Sequence, residues 1–186
     1  NTFTNTSNLQ GKLKEVTQIG AELINDDSVQ ADAEMLSLVI ETLKNTGLQN
    51  FQLSIGQVEF FKGLCEEAGL DVETENALRD YISGKNYFAA ENLLRNSAIP
   101  QTYKSTLLKV TDMFGDIESV KACRECVKNE LSLKAIDRLG QIYEVLKLYG
   151  VEEYVSFDLG LLSQYHYYTG IIFKAYTYGI GDAIVK

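Results

Sequence analysis

The hydrophobic period of the chain changes twice. Residues 11–24, GKLKEVTQIGAELI, alternate: Leu13, Glu15, Thr17, Ile19, Ala21 and Leu23 share one face, and Lys14, Val16, Gln18, Gly20, Glu22 and Ile24 the other. A period of two predicts a strand with one mostly apolar side. Asp26-Asp27-Ser28 then offers N-cap side chains, Leu36, Val39, Ile40 and Leu43 recur at helical spacing, and Gly47 closes the helix. Residues 51–55 read as a short strand. From 58 to 150 the period is helical almost throughout. Gly69, Gly115 and Gly150 each stand where a left-handed C-cap is wanted, Pro100 splits the region, and Ala135, Leu139, Ile142, Tyr143 and Leu146 form the stripe of the last long helix. Alternation returns at Val155, Phe157 and Leu159, and residues 167–178, YYTGIIFKAYTY, are dense in aromatic and β-branched types that favour strands.

This order predicts an α+β fold rather than a βαβ repeat. Sheet-forming parts at 1–56 and 150–186 enclose a mainly helical stretch at 57–149. The chain opens at Asn1 and closes on a strand-like run, DAIVK at 182–186, so both termini are expected to be truncated.

Composition narrows the function classes. With 45% hydrophobic and 23% charged residues in 186, the chain can bury one core, which excludes fibrous and disordered readings. Its 26 acidic against 17 basic side chains give a net charge of −9, which disfavours nucleic acid and anionic lipid as partners. No apolar run approaches the ~20 residues of a membrane span. Three cysteines in no dense framework point to a reducing cytoplasm.

Most candidate chemistry has an ordinary explanation. Cys123-Arg-Glu-Cys126 has CxxC spacing, but only Cys65 and His166 remain to complete a zinc site, and a redox pair would open a helix rather than sit inside one. Helix cysteines are the better reading, and no metal or cofactor is expected. Gly179-Ile180-Gly181 is too short for a phosphate loop and reads as a turn. His166 is the sole histidine; no GxSxG elbow accompanies it, and Tyr165, Tyr167 and Tyr168 around it suit a packed aromatic strand. Glu66-Glu67, Glu152-Glu153 and the mixed charges at 121–130 read as solvated surface. The polar face of the first strand is different. Gln18 and Glu22 lie on one side, ~13 Å apart at the backbone. A small zwitterion with a ring donor fits between them, and a solvated sheet face is the alternative.

Two segments together resemble the class II catalytic core of histidyl-tRNA synthetases and their non-synthetase relatives. GKLKEVTQIGAELI resembles the motif 2 strand GRxREFxQxGxExxG, and FDLGLLSQYHYYTGIIF at 157–173 resembles the histidine-binding LxRGLDYYTGxxFE. The resemblance implies an antiparallel sheet flanked by helices, with a helical insertion. It implies a histidine pocket lined by Gln18, Glu22, Tyr168, Thr169 and Gly170, with Glu22 near the imidazole. Lys12 and Lys14 stand at usual arginine positions, and Lys14 is a candidate cation for the ligand carboxylate.

The departures decide the branch. Thr4 stands at the motif 2 arginine that holds the ATP α-phosphate; Ser163 and His166 replace the arginine and aspartate of RGLDYY. Losing one such donor costs ~3 kcal/mol, or ~10²-fold in rate. The pattern is similar to the regulatory subunits of ATP phosphoribosyltransferase, in histidine biosynthesis. That resemblance implies a non-catalytic partner of the short-form catalytic subunit, histidine as feedback ligand, a homodimer when intact, no cofactor, no nucleic acid and a cytoplasmic location. A divergent histidyl-tRNA synthetase is the enzymatic alternative, and an interaction module without ligand the third reading.

Overall fold

The computed structural model describes residues 1–3, 14–163, 165 and 167–186. Strands β1 (Thr2–Phe3) and β2 (Glu15–Val16) pair antiparallel, Thr2 opposite Val16. Helix α1 (Val29–Asn45) leads to β3 (Phe51–Gln57), and then come α2 (Val58–Ala68), α3 (Val72–Ser83), α4 (Tyr87–Asn96) and α5 (Gln101–Lys109). The short β4 (Phe114–Gly115) and α6 (Ile117–Ala122) precede α7 (Glu130–Tyr149), and β5 (Val155–Asp158) and β6 (Ile171–Thr177) finish the main sheet.

Local chemistry sets these boundaries. Ser28 caps α1 by accepting from the Ala31 N–H, and Asn129, Asp71, Asn86 and Asp116 do the same for α7, α3, α4 and α6. Gly69 and Gly150 end α2 and α7 at φ of 74° and 69°, as expected of left-handed caps. Gly115 does not. Its helical run stops at Asp112, and Gly115 lies in β4.

The main sheet has the order β4-β5-β3-β6. β3 runs antiparallel to β6, and β4 to β5, but β3 and β5 are parallel, Leu53 opposite Val155. The antiparallel sheet implied by the resemblance thus contains one parallel pair, whose strands are joined by the long, mainly helical connection at 58–154 that such a pair requires. Phe51, Leu53, Ile55, Phe157 and Ala175 point into one buried core with Leu36, Ile40, Phe60, Phe61, Leu139, Ile142 and Leu146 of α1, α2 and α7. Leu78, Ile82, Leu94 and Leu107 bring α3, α4 and α5 into the same cluster.

Three strand expectations shrink. The strand at 11–24 survives only as Glu15–Val16, with 11–13 outside the described residues; among the described residues, 17–24 belong to no strand and are exposed, Ile19 at 98%. Alternation without a neighbouring strand and a covering layer leaves no apolar face to bury. The strand at 167–178 begins only at Ile171, because Gly170 turns the chain at φ 81°. DAIVK makes a single bridge, Ala175 to Val185. Glu67, expected on the solvated surface, instead accepts the Lys128 and Asn129 N–H groups at 2.9 and 2.8 Å, tying α2 to the start of α7.

Arg138 latches α7 to the head of α1. Its guanidinium donates to Asp32 Oδ2 (2.8 Å) and to the carbonyls of Asp27 (2.6 Å) and Ser28 (2.8 Å). Burial pushes the Asp32 carboxyl above its ordinary value, and Arg138 opposes the shift. Arg138→Ala leaves a half-buried carboxylate without its cation and removes the tie between the two helices, so urea unfolding should show a loss of about 2 kcal/mol; an unchanged midpoint would contradict the latch.

Candidate ligand-binding face

One face of the main sheet rests on helices and the other carries polar side chains. Directly opposed residues in neighbouring strands point the same way. Ser54 of β3 is opposite both Lys174 of β6 and Ser156 of β5, and Gln52 is opposite Tyr176. Lys174, Ser54 and Ser156 thus form one row across three strands, and Asp158 follows two residues along β5. Phe114 of β4, opposite Asp158, walls this face. Gln52, Ser54, Phe114, Asp116, Ser156 and Asp158 line a cleft of about 370 Å³.

The charges on this face act on one another. Burial raises the Asp158 carboxyl above its usual value, while the Gly160 N–H (2.9 Å to Oδ1) and the charges of Lys174 and Lys85 pull it down. Burial lowers Lys174, with Lys186 and Lys85 adding to the shift and Asp158 opposing it. Tyr176 is raised by burial and by Asp158. Among the described residues neither Asp158 nor Lys174 belongs to an ion pair. The alternation of FQLSIG, VSFD and IIFKAYT carried this signal, because the polar member of each pair marks the open face.

The residues singled out by the resemblance are more dispersed. Tyr168, 43% exposed, lies against Tyr167 and Tyr165 with ring centroids 4.8 and 6.1 Å away. Thr169 is exposed beside it, and the Gly170 carbonyl accepts from the Val58 N–H at 3.0 Å, anchoring this turn to the end of β3. Ser163 Oγ accepts from the Tyr165 N–H at 3.0 Å. Gln18 accepts from the Thr2 hydroxyl at 2.9 Å, and Glu22 and Lys14 are exposed. Among the described residues no hydrogen bond, ion pair or ring contact joins Gln18, Glu22 or Lys14 to Tyr168. Thr4, Lys12 and His166 lie outside the described residues.

Cys123 and Cys126 occupy one 3₁₀ turn as free thiols, and Cys65 is buried and free. Among the described residues no group of His, Cys, Asp and Glu side chains is arranged to hold a metal ion, and no helix is long and apolar enough to cross a membrane.

The four arginines of the chain are all in use elsewhere. Arg79 pairs with Glu75, Arg95 with Glu91, Arg124 with Asp137 and Arg138 with Asp32. None serves Ser163.

A family model described as histidyl-tRNA synthetase matches residues 2–186. The chain belongs to this family. It is 41% identical over 95% of its length to an ATP phosphoribosyltransferase regulatory subunit of Acetivibrio thermocellus, of which it spans 42%. The crystal structure of an ATP phosphoribosyltransferase regulatory subunit/histidyl-tRNA synthetase from Bacillus halodurans superposes with a TM-score of 0.80 at 30% identity, covering 87% of this chain and 42% of that one. An ATP phosphoribosyl transferase complex from Thermotoga maritima shares the fold at TM-score 0.61 and 18% identity, over 82% of this chain and 53% of that one. The α+β, class II synthetase-like core expected from the sequence is therefore the fold of this chain, with one parallel strand pair in its sheet.

Proposed function

We propose that the chain is part of a regulatory subunit of ATP phosphoribosyltransferase, non-catalytic itself, in which the synthetase core holds histidine without activating it. The observation that carries this reading is the commitment of all four arginines to carboxylates away from Ser163. Adenylate formation places negative charge on a phosphate, and guanidinium groups are its usual stabilisers. Ser163 offers no charge, and its hydroxyl already accepts a backbone N–H. The names of relatives at 41% identity support the same branch, as does the net charge of −9, which suits a tRNA poorly.

In this reading the partner is the short-form catalytic subunit, histidine is the feedback ligand, Gln18, Glu22, Tyr168, Thr169 and Gly170 contribute to its pocket, and 57–149 is a helical insertion in a cytoplasmic, dimeric protein. The Thermotoga maritima structure is named as a complex, which supports the assembly. The test uses the full-length protein. Histidine-dependent pyrophosphate exchange is expected to be absent, and calorimetry is expected to show histidine binding. Robust exchange would establish the divergent synthetase instead; no binding, together with regulation unchanged in Glu22→Gln, would leave an interaction module.

A further inference from the structure

An amino acid on a synthetase-like core needs a cation for its carboxylate, and Ser163 supplies none. Lys174 lies on the open sheet face opposite Ser54, and the charges of Lys85 and Lys186 act on it. This local excess of positive charge stands out in a chain of net charge −9. Lys85 holds its place at the end of α3 with a left-handed φ of 57°, a conformation that disfavours a long side chain.

We propose that Lys174, backed by Lys85 and the hydroxyls of Ser54 and Ser156, binds the carboxylate of an α-amino acid lying on the open face, and that Asp158 takes its ammonium group. The geometry is that of the row already described. Lys174 on β6 and Ser156 on β5 are separated by β3, two strand spacings or ~10 Å at the backbone. The lysine and Asp158 act on each other without forming an ion pair among the described residues. A zwitterion between them satisfies both. Ser54 sits midway as donor or acceptor, and the adjoining 370 Å³ cleft has room for a side chain. The inference deepens the histidine-binding reading and rests on it, replacing the missing arginine with Lys174 of β6.

The test is calorimetry of the full-length protein with L-histidine and with L-histidinol, which keeps the ring and the ammonium group but has a hydroxymethyl in place of the carboxylate. The wild-type protein should bind histidinol at least ~10-fold more weakly, as expected for loss of a charge-assisted hydrogen bond. Lys174→Met should erase that preference by weakening histidine while histidinol affinity does not fall, since removing a cation beside Asp158 favours a cationic ligand; Lys174→Gln provides a second variant if Met perturbs folding. Equal affinities in the wild type, or a preference that survives both substitutions, would overturn the assignment while leaving histidine binding intact. Inorganic phosphate that binds at Lys174 more tightly than histidine would also overturn it, making the site a phosphate subsite. No histidine binding in the wild type would instead sink the functional reading on which the inference rests.

Discussion

Gly63→Ala is expected to lower the stability of the chain by about 2–3 kcal/mol, although alanine is the better helix former by ~1 kcal/mol. Gly63 lies in α2 where that helix crosses the start of α7. A Cβ there would collide with Ser132 Oγ and lie 2.8 Å from both Asn129 Oδ1 and the Ser132 backbone nitrogen. Those atoms cannot retreat cheaply. Ser132 Oγ donates to the Phe60 carbonyl at 2.9 Å, and Asn129 Oδ1 caps α7 by accepting from the Leu131 N–H at 2.7 Å. The added methyl therefore has to break a buried hydrogen bond, weaken a cap worth ~1 kcal/mol, or push the two helices apart. At ~2–4 °C per kcal/mol for a chain of this size, the melting temperature should fall by roughly 5–10 °C. Gly140→Ala is the matched control. It sits inside α7 with nothing within 4 Å of its would-be Cβ, so the same substitution should stabilise by up to ~1 kcal/mol. Two shifts of the same sign would show that the close approach of α2 and α7 does not decide the outcome.

That contrast also shows how far sequence can be read here. Helical spacing and caps located α1 and α7 because the code is local: Ser28 bonds to an N–H three residues on, Gly150 ends α7 at φ 69°, and Leu139, Ile142 and Leu146 return every turn. Nothing local distinguishes Gly63 from Gly140, since the difference lies in which helix passes by. Strands suffered for the same reason. QIGAELI alternates as well as FQLSIGQ, but only the second finds neighbours on both sides, β5 and β6, and a layer of helices beneath. The candidate site was legible in part. The turn at Gly170 is signalled by its glycine, whose φ is 81°, and Ser163 Oγ spends its acceptor on the Tyr165 N–H. Asp158 and Lys174 lie over a hundred residues from Ser54, and strand register brings the three to one face, a relation no local pattern encodes.

Phe157 and Asp158, neighbours on β5, should fail in opposite ways. Phe157 points into the core, 1% exposed, and its ring meets Tyr143 edge-on at a centroid distance of 6.0 Å. Phe157→Ala is expected to cost about 3–5 kcal/mol, a large part of the ~5–15 kcal/mol that holds a domain together, and to lower the melting temperature by on the order of 10 °C. Because β5 is only four residues long, loosening it should weaken histidine binding as well. Asp158→Asn should separate these effects. The asparagine oxygen can still accept from the Gly160 N–H, so the turn after β5 is retained. Burial raises the carboxyl of Asp158 in the folded chain above its unfolded value of ~3.9. The stabilising contribution of such a group is complete below the unfolded pKa and is lost as pH rises through the folded one. Wild type should therefore be no more stable than Asp158→Asn at pH 7, and the gap should close as the pH is lowered toward the carboxylate range. Histidine affinity should fall in the variant at pH 7 all the same. If Asp158→Asn instead melted well below wild type at pH 7 and bound histidine as tightly, Asp158 would be a structural carboxylate, held by contacts that its charge strengthens.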